Sequence, residues 1–319
     1  MIGYYVHHQG RGHLHRARSV LSHVDSPSTV LSSLPGPWLV LPRDDDGPIV
    51  DPTAGGRFHW VPTHHAGLRR RMARIARWIE ETAPALMVVD VSVEVAVLAR
   101  SMGVPVLVTA MRGDRTDPAH ELGYAVAHQL LAPWPAVFAD PGWRWPAKTR
   151  YVGAFSRFDG RAPERSTSDR RRVVVLWGAG GTDIGAAAPG TATPGWEWDW
   201  LGGPGSWTQD PWPAISSADV VVSHAGQNAI AEVAAARRPA VVLPQQRPFG
   251  EQDATASALA RAGLAVVHRA WPAPAEWPSV LAEAVALGGD RWVRWSPGDG
   301  ARRAAQVIDE LAGASCGSR

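Results

Sequence analysis

Hydrophobic residues in this chain fall into two kinds of stretch. Short apolar runs stop at polar or glycine-containing clusters, and between them lie segments whose apolar positions recur every three or four residues. The first kind marks buried strands and the second amphipathic helices, so their alternation predicts a parallel α/β protein. In the first half, strands are expected at 2–7, 30–31, 39–41, 86–89 and 104–109. Helical faces are led by Leu14, Ala17, Leu21 and Val24, then by Leu68, Met72, Ile75 and Ile79, with further helices at 93–100 and 121–131. A strand at 173–176 restarts the pattern and argues for two similar domains. These are taken as 1–155 and 173–298, joined by a charged, Ser- and Pro-rich linker at 156–172. A terminal helix and tail, 299–319, carries Ala304, Val307, Ile308 and Leu311 on one side and suits packing back on the first domain.

The clearest unit is 218–253. An apolar run at 220–222 stops at a loop, a helix follows at 227–236 with Ile230, Val233 and Ala234 on one face, and Pro239 ends it before a strand at 240–243. Loops at the carboxyl ends of such strands are where ligands gather. His224 stands just before the helix, where it and the free N–H groups of the first turn can meet an anion. Glu232, two turns along and on the same side, can accept from a sugar hydroxyl, and Gln252 and Asp253 reach the same sheet edge. An anion with hydroxyls beside it describes a nucleotide sugar. The bland reading is a capped helix with a solvated glutamate. In the first half, Gly10 and Gly12 suit a tight strand-to-helix turn, but the third glycine and the ribose-binding acid of a dinucleotide fingerprint are missing.

Composition narrows the field. With 319 residues, 45% hydrophobic and 19% charged, the chain reads as a soluble globular protein. No apolar run approaches the roughly 20 residues that span a bilayer, and Arg11, Arg16 and Arg18 interrupt any signal-peptide pattern. One cysteine, Cys316, leaves no internal disulfide and leans toward a cytoplasmic setting. A net charge of +2 makes no case for nucleic acid, and the 16 tryptophans show no repeated basic–aromatic pattern. Between 181 and 219 the pattern is irregular. Residues 182–188 allow a turn or two of helix, 195–203 a strand with Trp196, Trp198 and Trp200 on one face, and Trp207 or Trp212 a stacking partner for a base. Arg69, Arg70, Arg71, Arg74 and Arg77 populate the polar side of the second helix, as a solvated face or as a contact for an acidic acceptor or an anionic membrane surface.

The stretch DVVVSHAGQNAIAEVAAARRPAVVLPQ, followed by EQDATASALARAGLAVV, resembles the donor domain of inverting GT-B glycosyltransferases. It is most similar to the murein-precursor N-acetylglucosaminyltransferases and the wider UDP-glycosyltransferase group. GRGHLHRA at 10–17 resembles the glycine loop opening the acceptor domain of that group, and WGAGG at 177–181 the first loop of the donor domain. The resemblance is strong over 218–267, fair over 1–21 and weak elsewhere. It implies two Rossmann-like domains facing across a cleft. It further implies that His224, Ala225 and Gly226, with Gly12 opposite, hold the donor diphosphate, that Glu232 binds the ribose, and that Gln252 and Asp253 lie near the sugar. His13 becomes a general base for the acceptor hydroxyl or a helper at the diphosphate. The implied donor is a UDP-linked sugar acting as co-substrate, with no metal or other cofactor. The implied acceptor is a small-molecule or lipid-linked hydroxyl, with contact at the inner face of the membrane in the lipid-linked case. No nucleic-acid partner is expected.

Displacing a nucleoside diphosphate from C1 requires a base on the incoming hydroxyl and positive electrostatics at the leaving group. A carboxylate would fix the tautomer of a histidine base, and Asp90, at a strand end in the same half, is the candidate, with Asp114 behind it. Capping the next helix is the competing duty for Asp90. His59, His64 and His65, in a loop-like stretch, suit an acceptor pocket better than a metal, because no cysteine or nearby carboxylate completes a ligand set. Arg112 and Arg115, just past a strand, are acceptor contacts or surface cations. Retaining GT-B enzymes carry two glutamates eight apart in this unit; His224 at the first position favours inversion. A nucleotide-sugar epimerase on the same plan, and a sugar-nucleotide-binding protein without turnover, stand as alternatives.

Overall fold

A computed structural model describes residues 1–9, 12–164, 169–177, 192–202 and 208–316. The glycine stretch 178–181, the short helix expected at 182–188, Gly10 and Trp207 lie outside the described residues. The first half runs β1 (Ile2–Val6), α1 (Gly12–Leu21), β2 (Ser28–Ser32), β3 (Leu39–Val40), α2 (Ala66–Thr82), β4 (Leu86–Asp90) and α3 (Val93–Ser101). It continues with β5 (Val106–Thr109), α4 (Pro118–Val126), β6 (Gln129–Ala132) and β7 (Thr149–Tyr151). The second comprises β8 (Arg171–Leu176), β9 (Trp196–Leu201), α5 (Trp212–Ser217), β10 (Val220–Ser223) and α6 (Gln227–Ala236). After these come β11 (Ala240–Val242), α7 (Glu251–Ala262), β12 (Val266–Val267), α8 (Trp277–Leu287) and α9 (Gly300–Cys316).

Two parallel sheets result, ordered β3-β2-β1-β4-β5-β6-β7 and β12-β11-β10-β8-β9. In each, the chain starts in the interior and builds outward in both directions, which leaves a crevice at the carboxyl ends of the strands where the direction changes. In the first sheet that crevice lies between β1 and β4, and Val6 pairs with Asp90 there. In the second it lies between β8 and β10, where Ser223 pairs with Leu176.

Helix α9 closes against the first sheet. Ala301, Ala304, Ala305, Val307 and Ile308 join Ile2, Tyr4, Val6 and Leu14 in one buried cluster, as the terminal stripe predicts. Asp309 then accepts from the N–H groups of Asp25 and Ser26 at 3.1 and 3.2 Å. The chain therefore crosses between domains twice, and the two crossings lie side by side. Ala154 N–H donates to Trp295 O, and Ser296 Oγ donates to Ala154 O, each at 2.9 Å.

Three local expectations change. The segment expected to stay helical to 131 leaves the helix at Ala127, whose backbone is extended, and 129–132 pair with β5 as β6. Arg71, expected on a solvated face, is 1% exposed and donates to Tyr5 Oη at 2.6 Å and Pro42 O at 3.0 Å. Arg69, Arg70, Arg74 and Arg77 do face outward. Trp212 is core, donating to Ala162 O and packing on Phe158, so it stacks no base. The tryptophans of β9 are structural too: Trp198 meets Trp277 edge-on and Trp200 stacks on Trp271, over the buried face of the second sheet.

Candidate active site

At the crevice of the first sheet, Asp90 ends β4 fully buried. The next residue, Val91, takes a left-handed backbone (φ 55°), and Ser92 caps α3 by accepting from Val95 N–H. Asp90 is thus free of the capping duty and turned toward α1. There, Nδ1 of His13 and Nη1 of Arg16 each lie 3.3 Å from Asp90 Oδ1. Burial alone would raise the Asp90 carboxyl, but Arg16 and then His13 outweigh it and hold the group below the usual carboxylate range. The His13 approach is an ion-pair distance without hydrogen-bond geometry; a proton on Nδ1, facing the carboxylate, would leave the Nε2 lone pair for a substrate. His7, edge-on to His13, is driven down to about 3 by burial and by its histidine neighbours, and stays neutral.

Across the cleft, His224 follows β10. Its Nδ1 accepts from Gly226 N–H at 2.9 Å, which fixes the opposite tautomer, with the proton on Nε2. Burial, reinforced by Arg247, lowers the ring to about 4, so His224 is neutral at pH 7 and carries an N–H on Nε2. Gln252 is 4% exposed, and its side-chain oxygen takes the N–H groups of both Ala225 and Gln245. The amides of Ala225 and Gly226 are therefore already engaged, and Gln252 ties two loops together. The donors left at the start of α6 are the first-turn amides of Gln227, Asn228 and Ala229, which have no acceptor within the helix. Glu232 pairs with Arg157 at 3.0 Å; burial raises its carboxyl although Arg157 opposes the shift. Asp253 points outward to Arg269. The acid that faces the cleft here is Glu251, 3.2 Å from Arg115 of the first domain. It stands one residue before the expected pair, and its place at the first position of α7 is the sequence signal that marks it.

The domains approach closely at two glycines, and the second of them requires glycine. A Cβ on Gly12 would lie 2.1 Å from the Asn228 side chain, so the starts of α1 and α6 nearly abut. A Cβ on Gly113, whose φ is 91°, would lie 2.3 Å from Phe249 O. Beside it Asp114 N–H donates to Phe249 O at 2.8 Å, Arg115 covers the Phe249 ring at 4.7 Å, and His120 meets that ring edge-on at 4.6 Å. A groove of about 480 Å³ runs past this contact, lined in part by Arg115, Trp143, Arg144, Trp145 and Arg261.

The remaining expected residues separate. His65 is buried as the cap of α2, accepting from Leu68 N–H, and His64 is exposed with φ 59°. Arg112 is buried between Trp134 and Trp295 and bound to Asp140, so neither it nor His65 is available to an acceptor. His59 has a carboxylate partner after all, since Asp117 and His120 join it within 4.8 Å. Both ring nitrogens of His120 are engaged there, Nδ1 by Asp117 and Nε2 by Arg115, which makes this a hydrogen-bonded cluster rather than an open ligand set. Among the described residues no helix is long and apolar enough to cross a membrane.

Comparison with known proteins agrees with this frame. Residues 207–286 match the family model described as the glycosyltransferase family 28 C-terminal domain. No match was found among curated proteins. Among solved structures, the glycotransferase of kitacinnamycin aligns with a TM-score of 0.65 at 16% identity over 99% of this chain and 97% of that one. MurG from Acinetobacter baumannii aligns at 0.64 and 14% identity over 98% and 99%. A UDP-GlcNAc 2-epimerase from Methanocaldococcus jannaschii aligns at 0.61 and 13% over 97% and 100%. At such identities the likeness establishes the fold, which transferases and an epimerase share; the family 28 domain separates them. The chain is thus a glycosyltransferase of the GT-B fold, with a family 28 C-terminal domain over 207–286.

Proposed function

We propose that the protein is an inverting, metal-independent transferase that moves a sugar from a nucleoside diphosphate donor, UDP-linked, to the hydroxyl of a small-molecule or lipid-linked acceptor. The observation that carries this reading is the His13–Asp90 contact at one crevice, with the start of α6 directly opposite. His13 Nε2 takes the acceptor proton as the hydroxyl oxygen attacks C1, and the C1–O bond to the diphosphate breaks on the opposite face. The leaving diphosphate keeps the electron pair. Its charge meets the first-turn amides of α6 and the Nε2–H of His224. Asp90 steadies the imidazolium that forms. Glu232 receives the ribose hydroxyls once Arg157 gives way, and Glu251 lies near the sugar.

The test is incubation with a panel of UDP-, dTDP- and GDP-sugars and candidate acceptors, following diphosphate release and the anomeric configuration of the product. Inverted product is expected, with His13→Ala lowering kcat by about 10²-fold or more while donor binding persists. Retained configuration, or conversion of the donor sugar without any acceptor, would overturn the reading; the second result would favour an epimerase.

A further inference from the structure

One carboxylate oxygen at the catalytic crevice meets two nitrogen-bearing side chains. His13 and Arg16 are three apart on α1 and reach the same Oδ1 of Asp90. Asp90 is 0% exposed, and the Arg16 side chain only 5%. The other groups facing this spot are the buried Tyr4 hydroxyl and the neutral His7 from β1, Thr109 from β5, and, beyond Arg16, His15 of α1, Arg157, and Asn228 and Glu232 of α6. Arg157 is paired with Glu232 at 3.0 Å, so among these described groups Arg16 is the permanent cation in contact with Asp90.

That matters because a fully buried carboxylate orients a histidine base well only where another group balances its charge. When the imidazole is neutral and able to accept a proton, the carboxylate is left buried without a counter-charge, which is strongly unfavourable. Such a pair keeps a proton, on the imidazole or on the carboxyl, and either way the base is lost. We propose that Arg16 is a positioning residue for the transfer reaction, supplying the standing counter-charge of Asp90 so that His13 rests neutral beside an ionised carboxylate. The proposal rests on His13 as the base. It adds a third member whose contribution is greatest before the proton moves: once His13 is protonated, Asp90 has two partners and Arg16 is no longer needed for neutrality.

The experiment is the pH profile of kcat/KM for Arg16→Met and Arg16→Lys, together with an NMR titration of the His13 ring proton, assigned with His13→Ala. In Arg16→Met the acid limb and the NMR titration should both move up by about one pH unit. Activity on the acid side of the shifted limb then falls by up to about tenfold and returns in mild alkali, which a purely structural defect would not do. Arg16→Lys, keeping the charge, should restore the original profile. An unmoved titration in folded Arg16→Met overturns the proposal. If Arg16→Met does not fold, Asp90→Asn is compared with Arg16→Met/Asp90→Asn: with the carboxylate gone, loss of Arg16 should leave the titration in place, and a displacement refutes a role through Asp90. A displaced NMR titration with no transfer from any donor would uphold Arg16 and reject the proposed reaction.

Discussion

Two histidines of the same intrinsic chemistry are held in opposite tautomers, and the neighbour of Nδ1 decides which. A carboxylate beside His13 favours a proton on Nδ1, and the Gly226 amide hydrogen-bonded to His224 puts it on Nε2. Several histidines are also held neutral by burial, with consequences for stability. His7 is lowered to about 3, and His120 and His224 to about 4, whereas an unfolded histidine titrates near 6.5. Between those values the unfolded chain binds more protons than the folded one. Stability from these groups is therefore complete above about pH 6.5 and lost as pH falls toward 4. Asp90, held low in the fold, adds loss in the same direction at still lower pH. Thermal unfolding should show Tm falling steadily from pH 7 to pH 5, with a shallower slope in His120→Gln. A Tm independent of pH across that range would contradict the assignment.

Among the elements, the contact between the 113–116 loop and the turn before α7 is the one most exposed to test. Phe249 and Gly250 both have left-handed backbones, and Gly113 faces Phe249 O at a distance no side chain allows. Gly113→Ala costs about 1–2 kcal/mol from the backbone alone and must also push the turn away. A larger radius of gyration by small-angle scattering is expected, with reduced kcat/KM and secondary structure intact by circular dichroism. An unchanged radius with full activity would show that the contact does not hold the domains together. The interior strands of both sheets and the His13–Asp90 pair were legible in the sequence, because buried parallel strands write continuous apolar runs and place polar residues at their ends. What escaped depends on distant partners. The run at 129–132 fits either helix or strand until the edge of β5 claims it, and Arg71 looks like its exposed neighbours until Tyr5 and Pro42 receive it. Gln252 reads equally well as a sugar ligand or a loop tie, and the choice lies in the positions of Ala225 and Gln245.

At the scale of the molecule, α9 makes the first domain depend on the far end of the chain. Ile308 is 0% exposed within the cluster that also holds Ile2, Tyr4 and Leu14. Ile308→Ala should cost about 2–5 kcal/mol, measured by denaturant unfolding, and should loosen the first sheet although the substitution lies beyond the second. A loss below about 0.5 kcal/mol would mean that α9 rests on the surface. The paired crossings at Ala154 and Ser296 have a mechanical implication. Two strands of backbone stitched side by side behave as a strap hinge, which bends about one axis and resists twisting. A donor arriving between Gly12 and Asn228 would therefore swing the halves apart along a single path, and the hook at Phe249 would travel with that swing.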